Sequence, residues 1–173
     1  METPQPAALS LPDRDGLRAP FAMLHHVAVV TNDMAKTVAF YRDVLGSEIA
    51  MAHRLGREDA PRHYFITMAP NCVFAFFEFS EATMPEFQEA TVRKSGRSLD
   101  HVCFFVPTAD ALIAWYDKLT RAAVPIHGYA PGDTLFFPDP NNIIIQISVA
   151  PPGGVMGFPV HNDLEPAYLE PES

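Results

Sequence analysis

Residues 23–33 read Met-Leu-His-His-Val-Ala-Val-Val-Thr-Asn-Asp, and residues 98–110 read Ser-Leu-Asp-His-Val-Cys-Phe-Phe-Val-Pro-Thr-Ala-Asp. Each is a short run of β-branched and aromatic residues with a histidine at its mouth and helix-starting polar residues at its close. That is the pattern of a strand delivering the chain into a helix. Placing His26 on His101 sets an offset of 75 residues. Under it, the helix starts Asp33 and Thr108 coincide, and so do Tyr41 and Tyr116, each fifteen residues past its histidine. Agreement at three positions points to internal duplication.

Outward from these stretches the two halves keep the same order. Met34, Val38, Tyr41 and Leu45 recur at helical spacing and Gly46 supplies a stop; Leu112, Trp115, Tyr116 and Leu119 repeat the pattern. The period then shortens to two. Strands are expected at 47–54, 62–69 and 72–79 in the first half, with Pro70-Asn71 as a turn. In the second half they are expected at 125–129, 134–137 and 142–149, with Pro138-Asp139-Pro140-Asn141 as the turn. Each half reads β-α-β-β-β, an α+β fold of two modules spanning about 24–80 and 98–149.

The whole chain has 173 residues, enough for a sizeable core in a single domain. Twelve basic and 21 acidic side chains give a net charge of −9, which disfavours nucleic-acid backbones and anionic membranes as partners. No apolar run approaches the roughly 20 residues of a membrane span. The N-terminus shows no basic segment followed by an apolar core, so no secretion signal is expected. Only Cys72 and Cys103 are present, which fits a reducing cytoplasm better than a disulfide framework. Residues 1–22 and 151–173 are rich in proline and acidic residues, and are expected as irregular arms around a folded body of 23–150.

Four strand residues stand out. Glu78 and Gln146 lie in the last, otherwise apolar strand of each half, and a carboxylate there is costly unless something positive meets it. His26 and His101 open the first strands. If the halves pair by a pseudo-twofold axis, two imidazoles, a carboxylate and an amide converge on a divalent-metal site suited to Fe, Mn, Co, Ni or Zn. Read singly, each has a plainer account: a hydrogen-bonded structural histidine, an edge carboxylate, an amide satisfied by backbone. His63 and Tyr64 could orient a substrate or move a proton, or simply belong to a half-exposed strand. His53 and His127 fall near loops and are expected at the surface. Cys103 shares a strand face with His101. Phe74, Phe76, Phe105, Phe136 and Phe137 could line an apolar pocket or fill the core.

The stretches His25–Gly46, Phe74–Phe79, Asp100–Val106 and Phe136–Ile147 together resemble the vicinal oxygen chelate superfamily. That group holds glyoxalase I, bleomycin- and fosfomycin-resistance proteins, methylmalonyl-CoA epimerase and extradiol ring-cleaving dioxygenases. The resemblance implies paired βαβββ modules whose mixed, curved sheets form a half-barrel around one metal. It also implies that the metal ligands are His26, Glu78, His101 and Gln146. His25 is the neighbouring alternative, with Asp100 at its place in the second half. Gln146 departs from the pattern, since many relatives carry glutamate there.

Ligand number sets the chemistry. Four ligands on an octahedral ion leave two positions for a substrate chelating through adjacent oxygens, which suits proton transfer with Glu78 or a nearby group as the shuttle. With Gln146 off the metal, two histidines and one carboxylate leave room for dioxygen as well. The leading expectation is therefore an Fe(II)-dependent dioxygenase acting on a small, catechol-like substrate. The alternatives are a glyoxalase- or epimerase-like lyase or isomerase using Ni, Co, Mn or Zn, and a metal-free binding protein of the resistance type. A homodimer is expected.

Overall fold

The structure, a computed structural model, describes residues 24–70, 72–84 and 99–150. The arms expected over 1–22 and 151–173 lie outside these residues, as does Asn71 of the first turn. The first module runs β1 (His26–Thr31), α1 (Met34–Ala39), a π-helical segment (Phe40–Leu45), β2 (Ile49–Arg54), β3 (Arg62–Ala69) and β4 (Cys72–Glu78). The second runs β5 (His101–Val106), α2 (Ala109–Arg121), β6 (Gly128–Ala130), β7 (Thr134–Pro138) and β8 (Ile144–Val149). Each forms a four-stranded mixed sheet, ordered β1-β4-β3-β2 and β5-β8-β7-β6, with the first and last strands of the module parallel.

The expected helix starts hold. Asp33 accepts from Lys36 N at 2.9 Å and Thr108 accepts from Ala111 N at 3.2 Å, caps of about 1 kcal/mol each. Gly46 ends the first helix at φ +84°, left-handed backbone that a Cβ would strain. The sequence pattern did not show that this helix widens to a π-helix over Phe40–Leu45. In the second module β6 is shorter and later than expected, at Gly128–Ala130.

Alternation sorts each sheet into two faces. Val27, Val29 and Thr31 of β1 share a face with Phe74, Phe76 and Glu78 of β4, since Val27 stands beside Phe74 and Thr31 beside Glu78. This face looks into one core common to both modules. Phe74, Phe76 and Ile66 from the first sheet meet Leu135, Phe137, Ile145 and Ile147 from the second, with Met34, Tyr41, Leu112 and Leu119 from the helices. Phe74 reaches Phe104 across the modules at 6.0 Å. Burial of each large apolar side chain contributes roughly 1.5–3 kcal/mol. The opposite faces point away from this core; His26, Ala28 and Val30 on one sheet and Cys103 and Phe105 on the other are exposed, His101 and Gln146 are half-buried, and Ala75 and His63 are buried. Of the five phenylalanines considered for a pocket, Phe74, Phe76 and Phe137 are therefore core; Phe105 and Phe136 lie on the outward face.

A buried polar clasp joins the modules. The Asp139 carboxylate, 3% exposed, accepts from Tyr41 Oη at 3.0 Å, from the backbone of Asn141 and Ile143 at 2.8 Å each, and from Asn141 Nδ2 at 2.9 Å. Asn141 Nδ2 also donates to Thr37 Oγ1 at 3.2 Å, and Thr37 pairs with Thr31 at 2.8 Å. The turn read from Pro138-Asp139-Pro140-Asn141 is thus also the bolt between the halves. Asn142 adopts φ +60°, a left-handed turn position that asparagine tolerates.

Candidate functional site

On the outward faces, His26 and His101 are held alike. His101 Nδ1 lies 2.6 Å from Asp100 Oδ1, and His26 Nδ1 lies 2.8 Å from His25 Nδ1. His25 and Asp100 occupy the same place under the 75-residue offset, and each engages Nδ1 of the next residue. Each leaves Nε2 as the ring nitrogen without a protein partner among the described residues. A partner on Nδ1 fixes the tautomer and the orientation of the ring, as behind metal-binding histidines.

Gln146 shares the outward face with His101 and Cys103, standing beside Cys103 on the parallel neighbour strand. Its Nε2 donates to Thr134 Oγ1 at 2.8 Å and to Ser148 Oγ at 2.9 Å. Both amide hydrogens are taken, so Oε1 is left as the acceptor, the atom a cation would use. Cys103 is exposed, yet partial desolvation by its neighbours still pushes its thiol up, so it stays protonated near neutrality.

Glu78 stands elsewhere than expected. It pairs in register with Thr31, five residues along β1 from His26, or ~16 Å, and it faces the core. Its carboxylate makes a bidentate pair with Arg62 and accepts from Met34 N at 2.9 Å, at the start of α1. Arg62 in the first place, and Met34 N with it, hold this carboxyl below the usual carboxylate range. The ion pair repays the burial of Glu78 without any metal.

Register explains the misplacement. His26 stands beside Val73 and His101 beside Ile144, so Gln146 corresponds to Ala75, and Glu78 to Val149. Counting from the end of the strand aligned the wrong residues. Counting from the asparagine after each turn, Asn71 or Asn142, gives Ala75 and Gln146 at four residues on.

Of the proton-transfer candidates, Tyr64 pairs with Phe76 and packs against the core, on the side of Glu78. His63 lies on the face of His26, with Phe65 between them, 6.1 Å from His26 and 4.5 Å from His63. His63 is 9% exposed, and neither ring nitrogen has a partner among the described residues. An unsatisfied buried polar atom costs about 1–3 kcal/mol. Burial first, then His53 and His26, lower its pKa, so it is neutral at pH 7. His53 is exposed as expected; His127 is half-buried, not at the surface.

A sizeable cleft lies elsewhere. It is about 520 Å³ at the junction of the modules, lined by Leu45, Met68, Trp115 and Ile147 among others; Phe105 and Phe137, two of the five phenylalanines considered for a pocket, also line it, and it contains none of the four expected ligands.

The four expected ligands do not form one cage within the chain. Glu78 is on the far face, and His26 and His101 are on separate sheets. Among the described residues no group of three or more His, Cys, Asp or Glu side chains is gathered for a metal ion. The donor set that remains presentable is His26 Nε2, His101 Nε2 and Gln146 Oε1, all neutral. Imidazole suits Zn, Cu, Fe and Ni, and an amide oxygen is compatible with them. In its chemistry this neutral set of two imidazoles and an amide oxygen suits a divalent cation.

The profile of the Glyoxalase/Bleomycin resistance protein/Dioxygenase superfamily matches residues 23–147. No curated protein matches the chain. Among solved structures, fosfomycin resistance protein FosX of Listeria monocytogenes, complexed with Mn(II) and sulfate, is similar at TM-score 0.58 and 14% identity, over 79% of this chain and 98% of that one. A glyoxalase/dioxygenase of Nostoc punctiforme gives TM-score 0.58 at 18% identity, over 78% and 97%. A lactoylglutathione lyase of Agrobacterium tumefaciens gives 0.54 at 18%, over 76% and 96%. The repeated βαβββ halves, their open mixed sheets and the profile match over 23–147 agree: the chain belongs to the Glyoxalase/Bleomycin resistance protein/Dioxygenase superfamily.

Proposed function

We propose that the protein is a metal-dependent enzyme acting without redox change on a small, anionic substrate that presents two neighbouring oxygens. Its cation ligands are His26 from one copy of the chain and His101 with Gln146 from another, in a homodimer. The observation that supports this most is the matched locking of the two histidines, each with Nδ1 engaged by the preceding side chain and Nε2 left over. A divalent ion there would act as a Lewis acid on the bound oxygens. Because all three ligands are neutral, the ion's charge would remain for an anionic substrate. FosX, similar in fold, was solved with Mn(II) and, in a mutant form, with Mn(II) and a dihydroxypropylphosphonic acid, an anion with adjacent hydroxyls.

The chain's own groups hold and position. Asp100 and His25 fix the imidazoles, Thr134 and Ser148 aim the Gln146 oxygen, and Phe105 and Phe136 supply apolar wall on the same face. The Fe(II) dioxygenase reading needs a carboxylate beside two imidazoles. Glu78, the residue assigned to that place, is bound to Arg62 on the other face, so the redox-neutral reading stands first. Glu78 and Tyr64 face the core and Phe65 stands between His63 and His26, so none of these three is given the proton. Two free cysteines fit a reducing cytoplasm as the setting.

The test is the metal content of freshly purified protein together with oxygen consumption. The expected result is that His101→Ala holds one equivalent of divalent metal fewer than the wild type, with no oxygen uptake in either. Full metal content retained in His101→Ala, or substrate-dependent oxygen uptake with bound iron, would overturn the reading.

A further inference from the structure

We propose that His53 and His63 form a separate cross-strand site for a borderline transition-metal ion, Cu(II), Ni(II) or Zn(II). The two stand directly opposite each other on antiparallel β2 and β3, on the outward face of the first sheet. Their ring centres are 5.0 Å apart with planes at 71°. Two imidazoles bound to one ion at metal–nitrogen distances of about 2.0–2.1 Å have ring centres ~3.2 Å from it, hence ~5.2 Å apart at a tetrahedral angle and ~4.5 Å at a right angle. The observed separation falls between these values, so the backbone register already sets the spacing of a chelate.

The two rings differ in a way that suits the role. His63 is fixed: it stacks on Phe77 at 3.7 Å and 12°, and packs on Phe65 at 4.5 Å. It is 9% exposed, and both nitrogens lack partners among the described residues, so its lone pair is uncommitted. His53 is exposed and can turn its ring to meet an ion over His63. Met51, 46% exposed on the same strand face two residues earlier, offers a soft thioether beside them. Among the described residues no carboxylate joins the pair, which selects against Mg(II) and Ca(II). The low proton affinity of His63 keeps it neutral, the form that binds metal. This site shares no residue with the ligands of the proposed active centre and does not depend on them.

The experiment titrates the full-length protein with Ni(II), Zn(II) or Cu(II) salts alone, in the His101→Ala background that disables the other proposed centre. Binding is followed by calorimetry, and the His53 and His63 ring signals by NMR. One equivalent should bind, in the order Cu(II) above Ni(II) and Zn(II), with both ring signals shifted or broadened. His53→Ala should weaken it by more than about tenfold. His63→Phe, which keeps the aromatic stack and so the fold, should do the same. Unchanged binding in His53→Ala, or no binding at all in the His101→Ala background, would overturn this site. If the wild type binds metal that His101→Ala loses entirely, this site falls while the active-centre reading stands.

Discussion

The two modules repeat one plan, and the places where they differ are the ones that carry consequence. Both open with a histidine locked through Nδ1 and both run the first strand parallel to the last. At equivalent positions on that last strand, however, the second module carries Gln146 and Val149, the first Ala75 and Glu78. The second keeps a polar group on its outward face. The first has moved its charge to the inner face, where it meets Arg62 and the start of α1. Duplication therefore left one half with two potential cation ligands and the other with one. The turn of the second half, longer than its Pro70-Asn71 counterpart, carries Asp139 into the helix of the neighbouring module.

The comparison breaks most visibly at the clasp. Asp139→Ala leaves the Tyr41 hydroxyl and two backbone amides buried without an acceptor, and should cost about 3–5 kcal/mol in urea denaturation. Tyr41→Phe, removing one donor, should cost only about 1–2 kcal/mol. Equal costs would mean that the carboxylate is not the hub.

Glu78→Gln tests which face the carboxylate serves. It should destabilise by about 1–2 kcal/mol, the Arg62 partner being partly exposed, and leave metal content unchanged. The folded-state pKa of Glu78 is lowered, so its stabilisation is complete above the ordinary glutamate value of about 4.3 and fades as pH falls through the folded value. The gap between wild type and variant should thus close on acidification below about pH 4. A loss of metal in this variant would restore Glu78 to the cation site.

Ala75→Glu sharpens the comparison by giving the first module the outward donor it lacks. Metal affinity should rise by about tenfold or more, while the metal-free protein loses stability, because Ala75 is 1% exposed and an unpaired carboxylate there is costly. An affinity that does not move would place Ala75 away from any cation.

Much of the fold was readable because it is written in local chemistry. Asp33 and Thr108 cap as expected, β3 occupies 62–69 as expected, and the 75-residue offset aligns His26 with His101 from the residues alone. Glu78 was misread for a physical reason. Parity placed it with Phe74 and Phe76, but which side of a strand looks inward depends on the helix that covers it, and strand ends carry no register. The reach of Asp139 to Tyr41 likewise depends on a contact between residues 98 positions apart. The His53–His63 pairing arises from the β2–β3 register, which the irregularity between Ile49 and Met51 shifts.

With His26 on one sheet and His101 on the other, a centre of the proposed kind, shared between two copies, is a property of concentration rather than of the single molecule. Dilution would switch such a centre off without unfolding a residue. A copy spoiled at His26 and a copy spoiled at His101 would, once mixed, assemble one intact centre between them, so two inactive preparations could restore each other.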